Sequence, residues 1–129
     1  MPTTHDPAPE WLMGLPWPPS VNHYWRRGTN GAMYISSEGR AYRHAMCVLL
    51  AGHEPLTCRV QVVVRAHPPD RRRRDLDNVL KALLDALQHG GVYEDDEQID
   101  FLSIQRGPVR KGGAVDVLVG PFDMSEEGV

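Results

Sequence analysis

The sequence predicts an α+β domain in the order β-α-β-α-β-β: one small mixed sheet with two helices packed on one face. Three observations predict it. Val60, Val62 and Val64 alternate over a short β-branched run. Leu76, Val79, Leu80, Leu83, Leu84 and Leu87 recur at helical spacing. Val115, Val117 and Val119 alternate again near the end of the chain.

Taken in order, Trp11–Leu15 reads as a short strand. Leu15-Pro16-Trp17-Pro18-Pro19-Ser20 holds three prolines, which lack amide donors and exclude a helix or a central strand. Asn22 to Tyr34 is a loop or hairpin, marked by Gly28, Asn30 and Gly31. Ser36 or Ser37 caps the first helix, whose apolar stripe is Tyr42, Ala45, Met46, Leu49 and Leu50 and which Gly52 ends. Arg59–Ala66 is a strand, stopped by Pro68-Pro69. The second helix carries the leucine stripe, has Asp75 where a cap belongs, and stops at Gly90-Gly91. Gln98–Arg106 and Ala114–Val119 are the last two strands, with Lys111-Gly112-Gly113 in the turn between them.

At 129 residues the chain is long enough for one domain with a real core. Residues 1–10 are expected to be a loose Pro-rich tail, 11–120 the domain, and 121–129 an acidic tail. No apolar run approaches a membrane span, and the N-terminus lacks the basic and apolar pattern of a secretory signal, so the expected place is the cytoplasm. Cys47 and Cys58 form no C-x-x-C, and the expectation is two reduced thiols with at least one buried. The six histidines form no zinc motif.

A net charge of −3 argues against nucleic-acid binding by bulk charge, but the distribution is uneven. Residues 59–81 carry net +4 and residues 82–129 net −7. Arginine supplies twelve of the fourteen cations, and its planar fork suits phosphate better than a lysine point charge.

The most unusual stretch is Asp70-Arg71-Arg72-Arg73-Arg74-Asp75-Leu76-Asp77-Asn78, at a strand-to-helix junction. On the helix that follows, Asp77, Lys81 and Asp85 share a face opposite the leucines. A second acid group, Glu94-Asp95-Asp96-Glu97, follows the helix. Oxygen-rich groups of this kind suit Mg²⁺ or Mn²⁺, which can activate water for phosphodiester hydrolysis. Lys81 would add a charge near the scissile phosphate, and the arginines would hold flanking phosphates. Plainer roles stand beside these: Asp75 as a helix cap, Asp77–Lys81–Asp85 as a salt-bridge ladder, the arginines as a solvated loop, and residues 94–97 as a surface turn. Other motifs are excluded. An EF-hand loop from Asp75 would need glycine where Leu80 stands, no (Asp/Glu)-x-Lys precedes Lys81 or Lys111, and no P-loop exists.

These residues, with Leu15-Pro16-Trp17-Pro18-Pro19-Ser20-Val21-Asn22, Asp95-Asp96 followed by Gln98, and Val109-Arg110-Lys111-Gly112-Gly113, resemble the RusA family of Holliday junction resolvases from about Trp11 to Val119. The resemblance implies an Mg²⁺-dependent homodimeric endonuclease that makes paired symmetric nicks in four-way DNA junctions. It implies that Asp75, Asp77 and Asp96 hold metal and are essential, together with Lys81. It places Arg74 and Asn78 at neighbouring family positions, with Arg71–Arg74, Asn78 and Lys111 toward DNA. A twofold substrate with two strands to cut independently favours a C₂ dimer, since one chain offers one acidic cluster. Trp17, Tyr24 and Trp25 are candidates for the interface or for contact with junction bases, and core packing is an equal alternative for Trp17.

Overall fold

The computed structural model describes residues 8–123. Its elements are β1 (Glu10–Pro16), a one-turn α1 (Val21–Tyr24), β2 (Trp25–Arg27), β3 (Met33–Ile35), α2 (Ser37–Leu49), β4 (Val60–His67), α3 (Asp77–His89), a 3₁₀ turn (Asp96–Gln98), β5 (Ile99–Arg106) and β6 (Ala114–Pro121). The expected tails at 1–10 and 121–129 lie mostly outside the described residues; within them, Glu10 already belongs to β1 and Pro121 to β6.

The main sheet has the order β1-β6-β4-β5. β4 and β5 run parallel, while β6 is antiparallel to both β4 and β1. The sheet is therefore mixed, as expected. Parallel pairing requires a long crossover, and α3 with the 3₁₀ turn supplies it. The polar and glycine-marked stretch before α2 forms a separate hairpin of β2 and β3. The structure adds α1 to the two expected helices. Ser20 precedes α1 in extended conformation, and Ser20 O accepts from both His23 and Tyr24 N–H, so one turn closes without any apolar stripe to announce it.

Alternation decides which sheet face is covered. Val60, Val62, Val64 and Ala66 of β4 and Val115, Val117 and Val119 of β6 join one core with Tyr42, Met46 and Leu50 of the α2 region and Val79, Ala82, Leu83, Ala86 and Leu87 of α3. Ser36 is the α2 cap, accepting the Gly39 N–H at 2.9 Å. Two expected stripe positions differ. Leu49 is exposed, because Tyr42, Met46 and Leu50 already face the core at fourfold spacing. Leu80 and Leu84 are only partly buried, because Ala82 and Ala86 face the core with Val79, Leu83 and Leu87. Both cysteines are free and partly buried, so neither is fully enclosed.

The register brings several chain segments to one edge of the sheet. Pro16 of β1 and His67 of β4 both pair with Ala114, the first residue of β6, and Arg106 ends β5 beside Ala66. The segments 16–20, 68–75 and 107–113 therefore meet there. Among the described residues no helix is long and apolar enough to cross a membrane.

Candidate functional site

The arginine segment emerges from β4 and is not uniformly solvated. Arg74 is half-buried: its Nη1 donates to Asp70 Oδ1 at 2.7 Å, and its guanidinium lies 6.0 Å from the centre of the Trp17 ring. The Arg74 hydrogen bond holds the Asp70 carboxyl down at about 2, with the Arg72 N–H assisting. Arg71, Arg72 and Arg73 stay exposed. The run is thus split into one anchored arginine and three outward cations.

Asp75 does not cap α3. The cap position is Leu76, in helical conformation, with no side-chain cap hydrogen bond. Asp75 contributes only its carbonyl, to the Asn78 N–H at 3.1 Å. The carboxylates of Asp75 and Asp77 are exposed and have no hydrogen-bond or ion-pair partner among the described residues. The capping alternative is thereby removed. Asp75 stands in a cleft of ≈ 410 Å³ shared with Trp17, Ser20, Arg73, Arg74 and Asn78.

The expected ladder on α3 is also absent. Asp85 is held by Arg43 of α2, whose Nη2 donates at 2.8 Å and Nε at 3.2 Å, and by the Tyr24 hydroxyl. Tyr24 is fully buried, which removes it from the candidates for contact with bases. Trp17 and Trp25 are partly buried against the core.

The second acid group is built with care. Gln98, itself buried, accepts the N–H groups of Glu94 and Asp95 at 2.9 Å each and donates to Leu56 O and Cys58 O at 2.8 Å. All four of its amide valences are used inside the protein. Asp95 caps the 3₁₀ turn through Glu97 N–H. The Asp96 N–H donates to Gln88 Oε1 at 3.0 Å, docking Asp96 on the face of α3 that carries Asp77, Lys81 and Asp85. Burial first, then the Asp95 carboxylate and more weakly Asp85, raise the Asp96 carboxyl above the usual carboxylate range, against a lowering pull from Lys81.

The sequence-predicted residues thus fall into two sets along one helix face. Asp75, Asp77, Asn78 and the arginines gather at the start of α3; Asp96 follows the helix and is tied to it through Gln88, near its end; Lys81 acts electrostatically on Asp96. Among the described residues no group of three or more His, Cys, Asp or Glu is close enough together to hold a metal ion. The expected trio of Asp75, Asp77 and Asp96 is not ready-made. Lys111 is exposed on the β5–β6 turn. Sequence reasoning missed Gln88 and Arg43, and named Gln98 in the family resemblance without its role in holding the acid turn. A glutamine directly after an acidic run was the available signal for Gln98, whereas Arg43 lies on another helix and gave none.

A match to the family described as Endodeoxyribonuclease RusA covers residues 16–119. The crossover junction endodeoxyribonuclease of Enterobacteria phage HK97 is 42% identical over 113 residues, spanning 85% of this chain and 93% of that protein. Its counterpart in Enterobacteria phage 82 is 42% identical over 108 residues, 81% of this chain and 89% of that one. That of Escherichia coli K12 is 40% identical with the same coverage. On these matches the chain belongs to the RusA family of endodeoxyribonucleases.

Proposed function

We propose that this protein is a junction-resolving endodeoxyribonuclease: it nicks four-way DNA by hydrolysis of phosphodiesters, acting where bacterial or phage DNA lies, in the cytoplasm. Family membership supports the reaction class, and the observation that carries the assignment of residues is the cleft at Asp75. Two exposed, unpartnered carboxylates, Asp75 and Asp77, stand beside three exposed arginines at the start of α3. A carboxylate beside arginines ordinarily pairs with one, as Asp70 does. Asp75 and Asp77 do not, which leaves their oxygens available.

The donor set fits a hard divalent cation, Mg²⁺ or Mn²⁺: all-oxygen, anionic, and with an Asp96 carboxyl that burial, and then the nearby acids, make reluctant to ionise alone. Asp75, Asp77 and Asp96 would hold it, and it would supply an activated water and charge stabilisation at the phosphate. Lys81 places a cation on the same face for the scissile group. Arg71, Arg72, Arg73, Arg74, Asn78 and Lys111 would grip and position the DNA backbone, Arg74 from its fixed seat over Trp17.

A twofold substrate calls for two such sites, hence a homodimer. The sheet face not covered by helices supports this. Trp11 and Phe101 are exposed on it, on either side of Leu118 and Val63. Sedimentation of the purified protein tests the dimer, with a monomer at micromolar concentration counting against it.

The reading is tested by incubating the protein with a synthetic four-way junction and with linear duplex, each with Mg²⁺ or Mn²⁺. Paired nicks confined to the junction are expected. A second reading, a junction-binding module without catalysis, is favoured by the separation of Asp96 from the pair at 75 and 77. Metal-independent binding with no cleavage at any divalent concentration would establish it in place of the first.

A further inference from the structure

A buried polar cluster at the site edge of the sheet has no part in the chemistry above. Asp116 of β6 is 2% exposed and His67, the last residue of β4, is 4% exposed. A carboxylate so enclosed must be well satisfied or it would disfavour folding. Asp116 Oδ1 accepts the Gly14 N–H at 2.7 Å; Arg110 Nη1 stands 3.7 Å from it, and His67 Nε2 lies 3.3 Å from Oδ2.

The hydrogen bonds of His67 define its direction. Its Nδ1 is 2.9 Å from Pro108 O, which can only accept, so Nδ1 donates. Its Nε2 lies between Arg110 Nη2 at 3.2 Å, which can only donate, and Asp116 Oδ2 at 3.3 Å, which can only accept, so the ring ties the two together in either role. The cluster therefore reaches from the sheet interior into the 107–113 turn at two points, Pro108 and Arg110. Gly107 rests so closely on the ring that an added Cβ would stand 2.6 Å from His67 Cε1.

The same turn is stitched to the exit of β4. Gly107 N–H donates to Ala66 O at 2.8 Å and Arg110 N–H to Pro68 O at 2.9 Å. Arg106, at the base of the turn, donates to Arg74 O at 3.1 Å. Between turn and arginine segment lies a cleft of ≈ 420 Å³, lined on one side by Arg71, Arg72 and Arg73, with Asp75 and the Arg74-paired Asp70 among them, and on the other by Arg106 and Val109. Cations thus face one groove from both sides, which suits a polyanionic strand lying along it.

We propose that Asp116 and His67 are positioning residues for a second phosphate-gripping wall. They hold the 107–113 turn so that Arg106 and Lys111 engage the backbone of the same DNA that Arg71–Arg73 contact. The inference rests on the junction-DNA reading above and adds residues remote from the reacting phosphate.

Asp116→Asn tests it. Asparagine keeps the shape and can still accept the Gly14 N–H, but it removes the charge that retains Arg110. For a four-way junction, log Kd against log [NaCl] should become shallower by about 0.9, the value of one phosphate contact. Lys111→Ala should give the same change, and the double variant no more than either alone. For Asp116→Asn the single-turnover cleavage rate at saturating protein should stay within about twofold of the parent, so that loss appears in binding and not in chemistry. A lowered melting temperature with an unchanged salt slope would make the cluster merely structural and overturn the proposal, as would additive slopes in the double variant. Should Asp116→Asn fail to fold, Arg110→Gln, at a half-exposed side chain, carries the same expectation. A parent protein that neither binds nor cuts the junction would overturn the nuclease reading itself. A cutting parent with an unaltered Asp116→Asn slope would overturn only the role of this cluster.

Discussion

Gln88 takes the backbone N–H of Asp96 on its side-chain oxygen at 3.0 Å, tying the turn after α3 back onto the helix. Residues 77, 81, 85 and 88 share one face of α3, so this single contact lays the second acid group along the line that starts at Asp77. With Gln98 holding Glu94 and Asp95 from the other side, and Arg59 donating to Glu97 Oε1 at 3.1 Å and to Glu97 O at 2.6 Å, the acid turn is fixed by two amide side chains and one guanidinium. Of its carboxylates Glu97 is paired with Arg59, while Asp96 feels the cation of Lys81.

Asp75→Asn separates chemistry from folding. Its carboxylate caps nothing, so the melting temperature should move by no more than about 1–2 °C, the range of an exposed substitution. Cleavage of a four-way junction with Mg²⁺ should fall by about 10²-fold or more, while gel-shift binding is retained. Loss of binding along with cleavage would make the aspartate a structural residue.

The strands and α3 were legible because their burial is one-sided. Val60, Val62 and Val64 are buried while their neighbours Gln61, Val63 and Arg65 are not, and α3 repeats at helical spacing. What was not legible has a common cause. Ala82 and Ala86 are as fully buried as Leu83 and Leu87, yet small residues carry little weight in an apolar stripe. Asp75 looks like a cap because sequence position alone cannot tell whether a carboxylate turns back to the helix amides or outward. Asp85 looks like a partner of Lys81 because helix spacing is visible, whereas Arg43 and Tyr24 reach it from elements more than forty residues earlier. The arginine run and the two acid groups were plain in the sequence; their separation along α3 was not, since it depends on where the turn after the helix docks.

Salt dependence should distinguish the arginines. Arg72 is exposed, and its side chain meets only Asp70, at 3.6 Å through Nε, while its backbone N–H donates to Asp70 at 3.0 Å and its carbonyl accepts from Arg74. Arg72→Ala should leave stability nearly unchanged and make log Kd against log [NaCl] shallower by about 0.9 for the junction. An unchanged slope would remove Arg72 from the phosphate contacts.

Asp96 makes stability depend on pH and on metal. Its folded-state carboxyl is raised, so the folded protein binds more protons than the unfolded chain just above the ordinary aspartate value of 3.8. Stability contributed by this group is therefore present at low pH and lost as pH rises through the raised value. At neutral pH the ionised group is a strain that removal of the Asp95 charge relieves. Asp95→Asn should lower the Asp96 titration midpoint, read by carboxyl NMR without metal. Millimolar Mg²⁺ should raise the melting temperature of the parent, and raise it less for Asp96→Asn. Equal shifts for both proteins would take Asp96 out of the cation site.

Gly112 and Gly113 allow the seat of Trp17 to be tested by difference. Both have left-handed backbone, with φ of +83° and +76°. A Cβ at Gly112 meets nothing within 4 Å, whereas one at Gly113 would lie 2.8 Å from Trp17 Cβ and 3.0 Å from its Cγ. Gly112→Ala should therefore cost only the conformational strain, about 1 kcal/mol. Gly113→Ala should cost that and a further 1–3 kcal/mol, roughly, for displacing a packed ring. Because Arg74 lies over Trp17 beside Asp75, the second substitution should also change tryptophan emission and weaken junction binding, and the first should do neither. Equal melting temperatures for the two variants would mean that Trp17 is not held against the turn, and that the cleft at Asp75 is not shaped by it.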